Sequence, residues 1–310
     1  MIRYTLRRLG GILVTLFFLS MFTFVLSRAI PGGPWDLGVE IPRTDAEIAL
    51  FKAKYGLDKP LWEQYLIWLR NAVTLDFGSP YMAPELSVTQ LILRQLPYSA
   101  LVGGLAAALS IFFGIVFGMI AAARQNTWVD AVISTGAVVI GTVPGFVLGF
   151  VMVYFFAAKL RWFPAGGWGD TGIRHLVLPV AAFSIPATGG TARWTRQCMV
   201  EAMSSDYVRT AYSKGVRQRG VMSRHVLRNA LIPMVTAFLP RFPAMMTGSV
   251  FIEHTFGIPG LGQWFVSSSF SRDYPMVLGI TIFWAVLIAL TYFVTDVLYG
   301  LIDPRVRLTE

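Results

Sequence analysis

The chain has 310 residues, 55% of them hydrophobic and 14% charged, where a soluble domain is roughly half apolar and a quarter charged, so its composition points to lipid. The single cysteine, Cys198, excludes an internal disulfide framework and a cysteine-rich metal site, and His175, His225 and His254 show no ligand spacing. A net charge of +9 could suit nucleic acid, but beside long apolar runs excess arginine marks cytoplasmic loops, and no nucleic-acid partner is expected.

At the start, Arg3, Arg7 and Arg8 precede an apolar run of 19 residues from Leu9 to Ser27. That is longer than the ~7–15 residues of a signal-peptide core, and no small-x-small cleavage pattern follows, so it reads as a retained anchor. A membrane-crossing helix needs ~20 predominantly apolar residues. Six segments qualify: 9–28, 98–123, 131–158, 175–192, 231–252 and 276–300. The third is long enough to tilt, and the fourth is interrupted by Pro179 and Pro186.

The segment after the first crossing is expected to be helical. Thr44-Asp45-Ala46-Glu47 has capping-box spacing and opens a helix that should end near Gly56. A second helix should begin at Asp58–Pro60, with Trp62, Tyr65, Leu66, Leu69 and Val73 on its buried face. Further on, 159–174 is rich in Gly and Trp and suits an irregular turn at the membrane surface. Segment 256–263 (FGIPGLGQ) is a second Gly/Pro cluster, either re-entrant or a tight turn.

Orientation follows from the arginines. With the N-terminus in the cytoplasm, 1–8, 124–130, 193–230 and 301–310 share one side and carry 14 Arg/Lys. The short opposite loops 159–174 and 253–275 carry four: Lys159, Arg161, Arg174 and Arg272. Both termini are therefore expected to be cytoplasmic. The last crossing should stop at Asp303-Pro304, with Asp296 about two turns earlier near that interface.

No site for catalysis is evident. None of the five lysines is followed by Ser or Thr, so no GxxxxGK[ST] phosphate cradle is encoded, and there is no HExxH, GxSxG or metal cluster. The polar chemistry is concentrated in Ser204–Pro233. Between Arg193 and Arg228 stand eight Arg/Lys and two acids, Glu201 and Asp206. Ser204, Ser205 and Asp206 form an N-cap cluster, with Val208, Tyr212 and Val216 at helical spacing behind it. Lys214 followed by Gly215 suits a helix end. A second helix, broken from the first by Gly215 and Gly220, should start near Val221, with Met222, Val226 and Ala230 as its stripe and Arg224 and Arg228 alongside. On this pattern two explanations stand: adhesion to anionic lipid, or docking of a partner.

These residues carry a resemblance. Asp206-Tyr-Val-Arg-Thr-Ala-Tyr-Ser-Lys-Gly215, followed by Arg224-His-Val-Leu-Arg-Asn-Ala-Leu-Ile-Pro233, resembles the "EAA" cytoplasmic loop of ABC-importer permeases, in the form found in the dipeptide, oligopeptide and nickel branch. Tyr4–Pro34, Tyr55–Gly78, Asp273-Tyr-Pro and Leu301–Arg307 are similar to other stretches of that family, so the likeness covers nearly the whole chain. It implies an all-α membrane protein with six transmembrane helices and the type I ABC importer permease fold. The first helix would occupy 1–30, an external helical segment 31–97, and a core permease domain of five transmembrane helices 98–310, with a cytoplasmic coupling loop at 193–230. It also implies an inner-membrane subunit paired with a second, homologous permease. Two ATP-binding subunits would sit beneath, and an extracytoplasmic solute-binding protein would deliver substrate. The chain itself would bind no cofactor, ATP and magnesium belonging to the ATPase partners. Asp206, Tyr207, Arg209, Ala211 and Gly215 match the coupling-helix positions. Arg209-Thr210-Ala211 stands where the general pattern has its acid-led triplet, so Arg209 does not inherit that acid's contacts.

Arg241 is not assigned by the resemblance. It falls near the middle of 231–252, between Pro240 and Pro243. A mid-membrane charge costs at least ~2.5 kcal/mol and usually faces a cavity or a partner. It either lines the translocation path and attracts an anionic group such as a peptide carboxylate, or pairs with the second permease, or the helix boundary lies elsewhere and it sits at an interface. Two other classes are a self-sufficient secondary transporter or channel for small solutes, and a membrane receptor or scaffold. The first would need intramembrane titratable groups and often a repeat; the second would not need the loop pattern.

Overall fold

The computed structural model describes residues 2–29, 32–36, 44–169, 172–238 and 240–302, and the regular elements among them are all helical. In chain order they are α1 (Ile2–Ala29), α2 (Asp45–Lys54), α3 (Leu61–Val73), α4 (Val88–Ala123), α5 (Trp128–Thr142) and α6 (Gly145–Met152), the last extended by a π turn, Val153–Lys159. Then come α7 (Arg174–Met203), α8 (Asp206–Ser213) and the single turn α9 (Gln218–Gly220), which runs through a π segment, Val221–Val226, into α10 (Leu227–Phe238). Short helices α11 (Arg241–Met246), α12 (Val250–Phe256) and α13 (Leu261–Phe270) precede α14 (Tyr274–Ile302). The expected stop at Asp303-Pro304 and the Asp296 side chain lie outside the described residues.

The apolar segments take different forms. Stretches of α1, α4 and α14 are each long and apolar enough to cross a membrane. Segment 131–158 is a bent pair: α5 and the α6 arm meet at 92°. Pro144 causes the bend, because it has no N–H to continue the ladder and pushes Val143 into extended backbone (φ −75°, ψ 122°). By contrast, 175–192 lies within a 30-residue helix, α7, that passes through both Pro179 and Pro186 without interruption. Segment 231–252, expected as one crossing, is divided among α10, α11 and the start of α12. Pro240 stands at the N-cap of α11, and Gly248 at φ +94° turns the chain before Ser249 caps α12 by accepting from the Ile252 N–H (3.3 Å).

The described chain divides into two compact units, 1–97 with 259–310, and 98–258. In the first, α2 opens on the expected capping box: the Thr44 N–H donates to Glu47 Oε2 (2.7 Å), and the Glu47 N–H to Thr44 Oγ1 (3.3 Å). Gly56, at φ +64°, lies just past its end. α3 has the expected period but a different phase. Trp62, Leu66 and Val73 are exposed, whereas Tyr65 and Trp68 meet Phe24 of α1, and the Tyr65 hydroxyl hydrogen-bonds Ser20 (2.9 Å). A stripe of apolar residues sets a period; the hydroxyl partner on α1 sets the phase. The core of this unit is Phe77, Val88, Leu91 and Ile92 against Leu261, Met276 and Ile280. Buried Asp273 accepts from the Met82 N–H (3.1 Å), and burial pushes its carboxyl above the usual range.

In the second unit α7 is central, packing against α5, α6, α10 and α12. Small residues allow the close approach. Gly114 and Gly118 of α4 lie against Thr191 and Thr195, and Gly189 of α7 lies against Ala137 and Gly141 of α5. The Thr188 and Thr191 hydroxyls donate back to the Ser184 and Ala187 carbonyls (2.8 and 2.9 Å), so these buried polar groups are satisfied within α7. In the Gly/Pro cluster 256–263, Gly257 closes α12 in left-handed conformation (φ +59°), the Ile258 N–H reaches the Glu253 carbonyl at 2.9 Å, and Leu261 already opens α13.

Candidate functional site

α7 ends where Ser204 closes on Glu201, its N–H at 3.2 Å and its hydroxyl at 2.7 Å from the same carbonyl. Ser205 then becomes extended (φ −77°, ψ 149°) and takes the N-cap place of α8, without the side-chain bond expected of the serine cluster. Asp206 stands in the first turn, where its charge suits the helix N-terminus. Its contact with Arg209 (3.7 Å) joins two exposed side chains and contributes little.

The helix has two faces. Val208 and Ala211, three residues apart, are 2% and 5% exposed. They belong to one apolar cluster with Cys198 and Met199 of α7, Ala122 at the end of α4, and Val221 and Val226 of the π segment. Burying a valine contributes roughly 1.5–3 kcal/mol, which seats α8 on the end of α7. Burial also pushes the Cys198 thiol above its usual range, so it packs rather than reacts. Asp206 and Arg209 stand on the opposite face, Tyr207 and Tyr212 flank the buried one, and all four are exposed, as is Lys214 at the helix end. Of the five residues singled out from sequence, then, Ala211 is an anchor, Gly215 makes the turn, and Asp206, Tyr207 and Arg209 are exposed.

Gly215 ends the helix through a Schellman arrangement. It is left-handed at φ +74°; its N–H donates to the Tyr212 carbonyl (2.9 Å) and the Val216 N–H to the Ala211 carbonyl (3.3 Å). The second expected break does not occur. Gly220 has φ −67° and lies inside the helical run that starts at Gln218. The turn at Gly215 already reverses the chain, so Gly220 need only be small. Val226 and Ala230 are buried as expected, while Arg224 and Arg228 are exposed beside them.

A constellation that the sequence did not signal joins α7 to α5. Arg196 of α7 grips Asp130 of α5 with two parallel bonds, Nε to Oδ1 at 2.6 Å and Nη2 to Oδ2 at 2.7 Å. Asp130 had no visible partner in sequence, and Arg196 was one more loop arginine. Arg241 is not part of the α8 surface. It opens α11 with an exposed side chain.

Comparison with known proteins adds the following. Residues 114–308 match the family model described as "Binding-protein-dependent transport system inner membrane component", and residues 1–98 match the model of the N-terminal part of such components. The dipeptide transport system permease protein of Bacillus subtilis (strain 168) is 38% identical over 308 residues, 99% of both chains. The oligopeptide transport system permease protein of Haemophilus influenzae is 37% identical over 307 residues, covering 99% of this chain and all of the relative. Among solved structures, an inward-facing methionine ABC transporter chain superposes with a TM-score of 0.58 at 14% identity, over 69% of this chain and 97% of the other. An amino acid ABC transporter chain does so at 0.54 and 18%, over 68% and 93%. Those two likenesses establish the fold as that of type I ABC importer permeases.

Proposed function

This chain belongs to the family of inner membrane components of binding-protein-dependent transport systems, and we propose that it carries dipeptides or oligopeptides inward through an ATP-driven complex. It is a multi-pass, non-catalytic transport subunit of the inner membrane. The observation that carries the peptide reading is the full-length match, at 36–38% identity, to permeases named for dipeptides and oligopeptides. In this reading the chain pairs with a second, homologous permease. Two ATP-binding subunits hold ATP and magnesium on the cytoplasmic side, and a solute-binding protein delivers the peptide outside. The distribution of arginines supports cytoplasmic termini.

The outward face of α8 docks on an ATPase subunit. Tyr207 and Tyr212 supply aromatic area, Asp206, Arg209 and Lys214 supply charge, and Ala211 and Gly215 fix the helix in place. Closure of the ATPases pushes α8, and the push reaches α7 through the cluster around Val208. Arg241 lines the path and attracts the peptide carboxylate; its exposed side chain supports this, since an uncovered arginine is available to an anion.

The test is uptake of labelled dipeptide by proteoliposomes holding the whole complex and its binding protein. Uptake should require ATP and the ATPase subunits. Uptake by this chain alone would identify a self-sufficient transporter and overturn the proposal. In the same assay Arg241→Ala should lower uptake of free-carboxylate peptides about tenfold relative to C-terminally amidated ones, the worth of one charge-assisted hydrogen bond. Equal uptake of the two by wild type and variant would remove Arg241 from the path.

A further inference from the structure

Asp130 is a buried carboxylate whose two oxygens are fully used. Oδ1 accepts from Arg196 Nε (2.6 Å) and the Ser134 hydroxyl (3.0 Å); Oδ2 accepts from Arg196 Nη2 (2.7 Å) and the Asn126 N–H (3.0 Å). Its side chain is 7% exposed and that of Arg196 29%. The fork joins three pieces of backbone: the turn after α4, where Asn126 is left-handed (φ +62°), the first turn of α5, and the C-terminal half of α7.

The rest of the α5–α7 contact is of another kind. Gly189 lies against the Ala137 carbonyl, the Gly141 nitrogen and the Ile140 side chain, so the two backbones approach closely there. Close apolar packing of this kind is held by van der Waals contact and carries no charge. A bidentate, charge-assisted pair is directional and ties the register of the two helices at that point. The fork shares α7 with Cys198 and Met199, two and three residues beyond Arg196, which belong to the cluster that holds Val208 and Ala211.

We propose that Asp130 and Arg196 are a positioning pair that transmits movement of α8 from α7 into α5, so that without the pair ATP is hydrolysed and transport does not follow. This rests on the reading that α8 docks an ATPase. The pair touches neither solute nor nucleotide; it acts by keeping two helices in step.

The experiment uses the complete complex in liposomes, with three readouts: ATPase co-purification, ATP hydrolysis and labelled dipeptide uptake. Asp130→Asn alone leaves a half-buried guanidinium without its counter-charge and risks misfolding. Two other variants therefore decide. Arg196→Lys keeps the charge and loses the fork. Asp130→Asn with Arg196→Gln removes both charges and leaves amides that can still pair. Both variants are expected to assemble with the ATPases and to hydrolyse ATP near the wild-type rate, while uptake per ATP falls at least fivefold. Wild-type uptake per ATP in either assembled variant overturns the proposal. So does loss of ATPase co-purification at an unchanged melting temperature, which would make the pair part of the docking surface. Failure of the docking reading looks different: Tyr207→Glu, which leaves the fork intact, would then co-purify with the ATPases undiminished.

Discussion

At Gly215 an added Cβ would meet nothing within 4 Å, yet the backbone stands at φ +74°. The requirement is therefore conformational: an L-residue there costs roughly 1–2 kcal/mol, and a β-branched one more. Gly215→Val is expected to loosen the Schellman turn, lower ATPase recovery with the permease several-fold in a pull-down, and reduce uptake in step. Undiminished transport and co-purification would overturn this. This residue was legible in sequence, because a lysine–glycine pair closing a helical pattern is a local signal. The Asp130–Arg196 pair was not, because its partners are 66 residues apart and meet only once α5 and α7 lie side by side. Arg241 was legible as unusual, because a charge between two prolines in an apolar run stands out locally, and the structure gives it an exposed side chain at the start of α11.

Among the elements, type was easier to read than phase or continuity. The α2 capping box and the end of α8 follow from local chemistry. The face α3 buries does not, since apolar residues line more than one side of it and a hydroxyl on α1 makes the choice. The α4–α7 contact depends on volume rather than on backbone freedom. A Cβ at Gly118 would lie 2.6 Å from the Ala192 carbonyl and 2.5 Å from Thr195 Cβ. Gly118→Val is expected to force the two helices apart at a cost of about 1–3 kcal/mol or more, lowering the melting temperature of the purified complex by several degrees. An unchanged melting temperature would show that this seam yields freely. Gly→Ala at Gly10, where a Cβ has open space, is the matched control.

At the scale of the whole molecule, composition made the membrane class legible, and a coupling-loop pattern with no nucleotide cradle made a separate ATPase partner legible. What composition could not supply was how apolar length is distributed. A hydropathy window counts residues and ignores direction, so 131–158 reads as one tilted span although Pro144 turns it through 92°. That bend has a mechanical consequence. The arm Gly145–Lys159 is roughly 20 Å long at helical rise and stands almost square to α5, so the two form a crank. Rolling α5 about its own axis by about ten degrees sweeps the far end of the arm through about 3–4 Å. A straight helix of the same sequence length would merely spin in place.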